Sequence, residues 1–225
     1  MAQLFPKWIN FEPLAAIMGG SLALVLGVGF ISVQLGVAGL FWYFGSPEYT
    51  DVSYRPKQPI AYSHKLHAGD LGIDCRYCHS FAEESHEANI PSTQTCMNCH
   101  KLIFKESEKL PPLLESWATG KPIEWIRVHK VPDYAYFPHH LHLRAGVGCE
   151  SCHGNVAEME LVMQTKPLSM NWCLDCHRNP DAKLRPESEI TTMNWLPLEN
   201  QMEFAAKIIK AKNLKPPDDC SACHF

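Results

Sequence analysis

A chain of 225 residues with 20 Lys and Arg against 24 Asp and Glu carries a formal charge of −4 at pH 7. It has no basic run or patch to meet a phosphate backbone, which excludes a nucleic-acid partner, and its length allows one or two domains. Ten cysteines and 12 histidines in so short a chain point toward covalent or metal chemistry.

No charged side chain occurs between Glu12 and Glu48, and Leu14–Phe44 is nearly continuous hydrocarbon. As a helix this stretch would be about 46 Å long, against a membrane hydrocarbon core of about 30 Å, so it spans with tilt or projection. A signal peptide normally has an apolar region of only about 7–15 residues behind a clearly basic start. Here Lys7 is the one basic residue ahead of the span, and a retained anchor over residues 1–45 is the better reading. Lys7 before the span and Glu48 and Asp51 after it favour a cytoplasmic N-terminus. Residues 46–60, with Pro47, Pro56 and Pro59 among polar side chains, read as an extended linker.

Residues 61–225 carry the chemistry. Five Cys-x-x-Cys-His motifs occur: Cys75, Cys78 and His79; Cys96, Cys99 and His100; Cys149, Cys152 and His153; Cys173, Cys176 and His177; Cys220, Cys223 and His224. They are called motifs 1 to 5 in chain order. Two cysteines at this spacing suit thioether bonds to the vinyl groups of one porphyrin, and the adjacent imidazole suits one axial face of its iron. Paired Cys-x-x-Cys elements otherwise hold structural zinc, and cysteines in an exported protein otherwise form disulfides. Neither alternative requires histidine after every second cysteine. The expected cofactor complement is five covalently bound haem c, with His79, His100, His153, His177 and His224 as proximal ligands.

A His-x-x-His pair precedes motifs 1 and 2 (His64 and His67), and another precedes motifs 3 and 4 (His139 and His142). This spacing puts two imidazoles on one helical face, one turn apart. The copies, residues 61–100 and 137–177, are offset by about 75 residues, an internal repeat of a di-haem unit. Residues 178–225 add the fifth motif. Seven histidines remain for five distal positions, enough for bis-histidine ligation throughout.

Between these units the chain is mostly loop. FAEESHEANIPSTQT holds His86 among glutamates, where a solvated side chain is the simplest reading. LPPLLESWATG predicts a short helix with proline in its first turn and Gly120 past its end. Trp125–Val128 reads as extended, and Trp117 and Trp125 as packing either on porphyrin faces or in an ordinary core. Glu199–Leu214 predicts a helix capped by Asn200, with Met202, Ala205 and Ile209 on one face. The fold expected is mostly α and irregular: one transmembrane helix, then a loop-rich domain organised by its cofactors.

The element FPHHLH, and less closely YSHKLH, resembles the class III cytochromes, the small c3 and c7 proteins. That resemblance implies that each His pair serves the haem just downstream and its neighbour. His64 would ligate haem 1 and His67 haem 2, while His139 would ligate haem 3 and His142 haem 4. RVHKVPDYAYFPHHLHLRAGVGCESCHG, MNWCLDCHRNP and IPSTQTCMNCH, with the five motifs and one N-terminal span, resemble the pentahaem cytochrome subunit of alternative complex III. The resemblance implies quinol oxidation in the bacterial cytoplasmic membrane, with the haem domain periplasmic. Its implied partners are an iron-sulfur subunit, membrane subunits carrying the quinol site, and a mono-haem cytochrome c or terminal oxidase as acceptor. For the fifth distal position the choice is His129, with Met159, Met170 or Met193 as rivals.

Five haems in so few residues lie close together, as an electron relay needs, and no catalytic site of the chain's own is expected. A multihaem reductase would keep one iron open and usually depart from Cys-x-x-Cys-His at its catalytic haem; no such variant occurs here. A membrane-anchored multihaem quinol dehydrogenase fits the single span but not the fifth motif or the twin His pairs.

Overall fold

The computed structural model describes residues 12–45 and 51–224, which divide into two units at Tyr49–Thr50. The first unit is the helix α1, Glu12–Gly45. Its segment Gly19–Gly45, 27 residues, is long and apolar enough to cross a membrane; at about 1.5 Å per residue it measures about 40 Å. Ser32 donates its hydroxyl to the Val28 carbonyl at 2.8 Å, which satisfies its polar hydrogen inside an apolar stretch.

The second unit, as expected, is helical and irregular; among the described residues there is no strand, only isolated bridges between Ala135 and His224 and between Val147 and Leu184. The helices that carry motifs 1 to 4 are short, four to nine residues each. A single π-helical turn, Lys65–Asp70, follows His64. α2, Cys75–Cys78, is started by Asp74, whose carboxylate accepts from the Arg76 N–H, and α3, Thr93–His100, carries motif 2. α4, Pro111–Thr119, starts on proline and ends at Gly120 with φ 74°, as its sequence predicts. α5, His139–Ala145, holds the second His pair. α6, Glu150–His153, and α7, Met170–Arg178, carry motifs 3 and 4, and motif 5 closes on a 3₁₀ turn, Cys220–Ala222.

α8, Gln201–Lys212, follows Asn200, but its packing differs from the sequence expectation. Asn200 makes no side-chain cap bond, and Met202 is exposed. The buried face runs through Gln201 and Ala205 instead. The Gln201 amide donates to the carbonyls of Asp181 at 2.6 Å and Leu184 at 2.9 Å. A polar anchor thus replaces the apolar contact expected from Met202.

Residues 51–60 lack regular structure, as a linker would, yet they are docked on the domain. Ser53 N–H donates to the Gln164 carbonyl at 2.7 Å, and Gln164 N–H returns to Tyr54 at 3.1 Å. Gln58 brackets the Ile126 backbone with both amide atoms, at 2.9 Å each. Ile60 is buried with Met97, Leu110 and Leu113. The part of the expected extended linker that is described, residues 51–60, is therefore extended but docked; residues 46–50 lie outside the described residues.

Trp125 packs against that same apolar cluster, while Trp117 stays about half exposed. A second cluster joins Ala82, Leu143 and Ile190, with Cys149 against it. Among the described residues nine apolar side chains are buried, too few to hold a unit of this size by ordinary core burial. One buried polar network supplements them. Arg185, 5 % exposed, pairs with Glu150 at 3.2 Å, donates to the Thr192 carbonyl at 2.8 Å and lies over the Trp195 ring at 4.8 Å. A Cβ added at Gly148 would overlap this guanidinium. Arg185→Leu leaves the Glu150 carboxylate without its cation and with only the Asn194 and Trp195 N–H groups as donors, so we expect a loss on the order of 3 kcal/mol, read as a lowered denaturation midpoint of the holoprotein.

Candidate metal centres

The two His pairs are built alike, and more closely than their sequences suggest. Tyr62 stacks on His67 with ring centroids 4.5 Å apart and meets His64 edge-on at 4.8 Å. Phe137 lies along His142 at 4.4 Å and meets His139 edge-on at 4.8 Å. Tyr62 thus occupies the position of Phe137, two residues before the first histidine of each pair. The second histidine donates its Nδ1–H four residues back in both copies, His67 to Ser63 at 2.8 Å and His142 to Pro138 at 2.9 Å.

Pairing within each di-haem unit follows from this. His67 faces His100 with ring centroids 6.2 Å apart, His139 faces His153 at 6.4 Å with planes 14° apart, and His142 faces His177 at 6.0 Å. Two imidazoles on opposite sides of one metal, each with a bond of about 2 Å, have centroids about 6 Å apart. These are the pairings that the class III resemblance implies for haems 2, 3 and 4. His64 lies near His79, and burial lowers its pKa to about 4.

Backbone carbonyls orient the rings. His79 donates its Nδ1–H to Asn89 at 2.7 Å, His139 to His86 at 2.7 Å, His177 to Pro217 at 2.5 Å and His224 to Tyr134 at 3.1 Å. With Nδ1 tied in this way, Nε2 carries the lone pair a metal needs. Burial also keeps the rings neutral. It lowers the pKa of His139 and His142 and pushes His153 down to about 3. It raises the Cys152 thiol to about 12, with Cys176 and Cys173 nearby.

His129 is placed away from the role expected for it. Its ring touches His153 edge-on at 4.3 Å, too close for a metal between them, and His64 and His139 lie near it. The ring nearest His224 is instead Tyr134, at 5.7 Å. Met159 ends the 3₁₀ turn Val156–Glu158 and accepts from Lys65 N–H at 3.0 Å, Met170 is exposed at the start of α7, and Met193 lines a cavity with Lys65 and Asn155. His86 is exposed against Tyr136, as a non-ligand would be, but its carbonyl accepts both the N–H and the Nδ1–H of His139.

All ten cysteines are free of disulfides, and among the described residues no three His, Cys, Asp or Glu side chains converge as a closed zinc site requires. Haem fits the donor set instead: two sulfurs and an imidazole within one turn, with a second imidazole facing it. Buried polar atoms without partners lie at the same places, namely Nδ1 of His64, His100 and His140 and Nε2 of His129. The shortage of buried apolar residues is what porphyrins would make good. Fold and site together define a c-type cytochrome with several haems.

The comparisons agree. Residues 135–225 match the family described as cytochrome c7 and related cytochrome c. The multihaem cytochrome c subunit of menaquinone reductase from Nitratidesulfovibrio vulgaris is 32 % identical over 169 residues, 65 % of this chain and 79 % of the relative. The chain belongs to the multihaem cytochromes c.

Proposed function

We propose that the chain holds five c-type haems and is the electron-relay subunit of a membrane quinone-oxidoreductase complex. The observation that carries this reading is the facing, within each di-haem unit, of His67 with His100, His139 with His153 and His142 with His177, at 6.0–6.4 Å. The ten motif cysteines would bind the porphyrins, and the five motif histidines would be proximal. His64, His67, His139 and His142 would close the distal faces of haems 1 to 4. A haem iron so held exchanges single electrons between its ferric and ferrous states. This chain's residues fix the ligands, exclude water from the central motifs and set potentials through ligation and burial.

His129 suits the centre of the domain, where its unpartnered Nε2 lies among the ligands of haems 1 and 3, better than it suits haem 5. Its removal should therefore disturb the spectra of those central haems and leave the His224 haem unchanged. Near-infrared magnetic circular dichroism tests the remaining rivals, since methionine ligation adds a charge-transfer band that bis-histidine haems lack.

In the quinol-oxidising reading, electrons come through an iron-sulfur subunit from a quinol site in membrane subunits and pass to a mono-haem cytochrome c or an oxidase, as in alternative complex III. The relative's name, menaquinone reductase, supports a second reading in which the same relay runs toward quinone. The complex, purified in mild detergent with its co-migrating subunits identified, decides between them. Anaerobic quinol should reduce the haems in the first case; in the second, reduced haems should be reoxidised by quinone.

The anchored, outward-facing topology is tested on spheroplasts. External protease should release the haem-bearing domain by cutting near residues 46–50 and leave the N-terminal fragment in the membrane. A mature protein starting beyond Gly45 would show a cleaved signal instead.

A further inference from the structure

The five motifs follow one another along the chain, but their contacts in space do so in a different order. Motifs 1 and 2 touch directly, the Asn98 amide of motif 2 donating to the Tyr77 hydroxyl of motif 1 at 3.1 Å. Motif 1 next meets motif 3. The side chains of Cys75 and Cys149 are neighbours, and Asp74, one residue before Cys75, accepts from Thr191 at 2.9 Å, beside Ile190, whose carbonyl holds the Cys149 N–H at 3.0 Å.

Motifs 3 and 4 are coupled through α5, which presents His139 to His153 and His142 to His177 one helical turn apart. Motif 4 meets motif 5 where His177 donates to the Pro217 carbonyl at 2.5 Å, three residues before Cys220. Exposure follows the same sequence. Of the ten cysteines only Cys99, in motif 2, and Cys220, in motif 5, are exposed.

From these contacts we propose that the haems are strung in the order 2–1–3–4–5, so that the haems of His100 and His224 are the two ports through which electrons enter and leave. Chain order would make haem 1 a port and bury haem 2 within the relay. The contacts reverse them. The internal repeat explains why: the two di-haem units meet through their first motifs, Cys75 against Cys149, which leaves motif 2 pointing outward at one end and motif 4 free to receive motif 5 at the other.

The inference rests on the five-haem reading, which pyridine haemochrome tests separately by counting. The order is tested on the full holoprotein by anomalous scattering at the iron edge. The His100 iron should have one near neighbour, the His79 iron, and the His224 iron one near neighbour, the His177 iron. An His79 iron at an end of the array, or an His100 iron flanked on two sides, overturns the proposal.

A solution measurement needs no crystal. His67→Met marks haem 2 spectrally, and a ruthenium photosensitiser on Leu102→Cys, a 74 % exposed site two residues past His100, injects electrons beside it. The marked haem should reduce first, then pass its electron inward so that its signal decays as another haem's rises. Prior reduction of an unmarked haem overturns the assignment of motif 2 as a port.

Discussion

Denatured and run on a gel, the chain should still stain for haem, and pyridine haemochrome should return five haems per polypeptide. Covalent attachment is what the Cys-x-x-Cys-His spacing provides, and every one of the ten cysteines lies in such a motif with no disulfide competing for it. The double variant Cys220→Ala/Cys223→Ala should lower the count by one, to four. It should leave the other haems in place, because motif 5 is a terminal 3₁₀ turn held by backbone bonds to 134–136 and contributes nothing to either apolar cluster. The matching change in motif 3 should be far more damaging. Cys149 packs against the Ala82, Leu143 and Ile190 cluster, and Glu150 of the same motif anchors the buried Arg185. Two or three haems with bound zinc in the remaining motifs would end the five-haem reading.

The repeat, the long apolar helix and the helices α4 and α8 were legible in the sequence because they rest on residue type and spacing. The α4 boundaries, Pro111 and Gly120, are stop and start signals that act locally. What escaped rests on backbone atoms, which have no letter in the sequence. The acceptors that orient the imidazoles are carbonyls of Ser63, His86, Asn89, Tyr134, Pro138 and Pro217, and no composition rule finds a carbonyl.

His86 illustrates the point: rightly read as an exposed side chain, it still positions His139 through its main chain. The equivalence of Tyr62 and Phe137 was available from spacing, since each stands two residues before its histidine; a hydroxyl on one ring obscured a shared stacking role. His129 could not be assigned from its nearness in sequence to the second His pair, because tertiary packing sets it against His153. The docking of residues 51–60 escaped the sequence for a similar reason. Proline and polar residues predict extended backbone there, which is what forms, but not whether that backbone docks.

Carbon monoxide separates a relay from a reductase. A relay whose irons are closed on both faces offers an exogenous ligand no coordination position, whereas an enzyme acting on a small molecule keeps one open. Three facing imidazole pairs, at 6.0–6.4 Å, argue for closed faces on haems 2, 3 and 4. His64, buried and neutral beside His79, argues the same for haem 1. The reduced protein should therefore bind no more than one equivalent of carbon monoxide per chain, and any that binds should sit on the haem of His224, whose ring faces Tyr134 rather than histidine.

His142→Ala supplies the positive control. It removes the ring that faces His177 while Leu143 keeps its place on α5, so the oxidised protein should gain one high-spin haem and the reduced protein one further equivalent of carbon monoxide. Haem staining should not change, because attachment depends on Cys173 and Cys176 and not on the distal ring. If the unmodified protein instead takes up carbon monoxide at two or more haems, the distal assignments fail. If it binds one equivalent and also turns over nitrite or hydroxylamine, the fifth haem is a catalytic centre and the chain is a reductase.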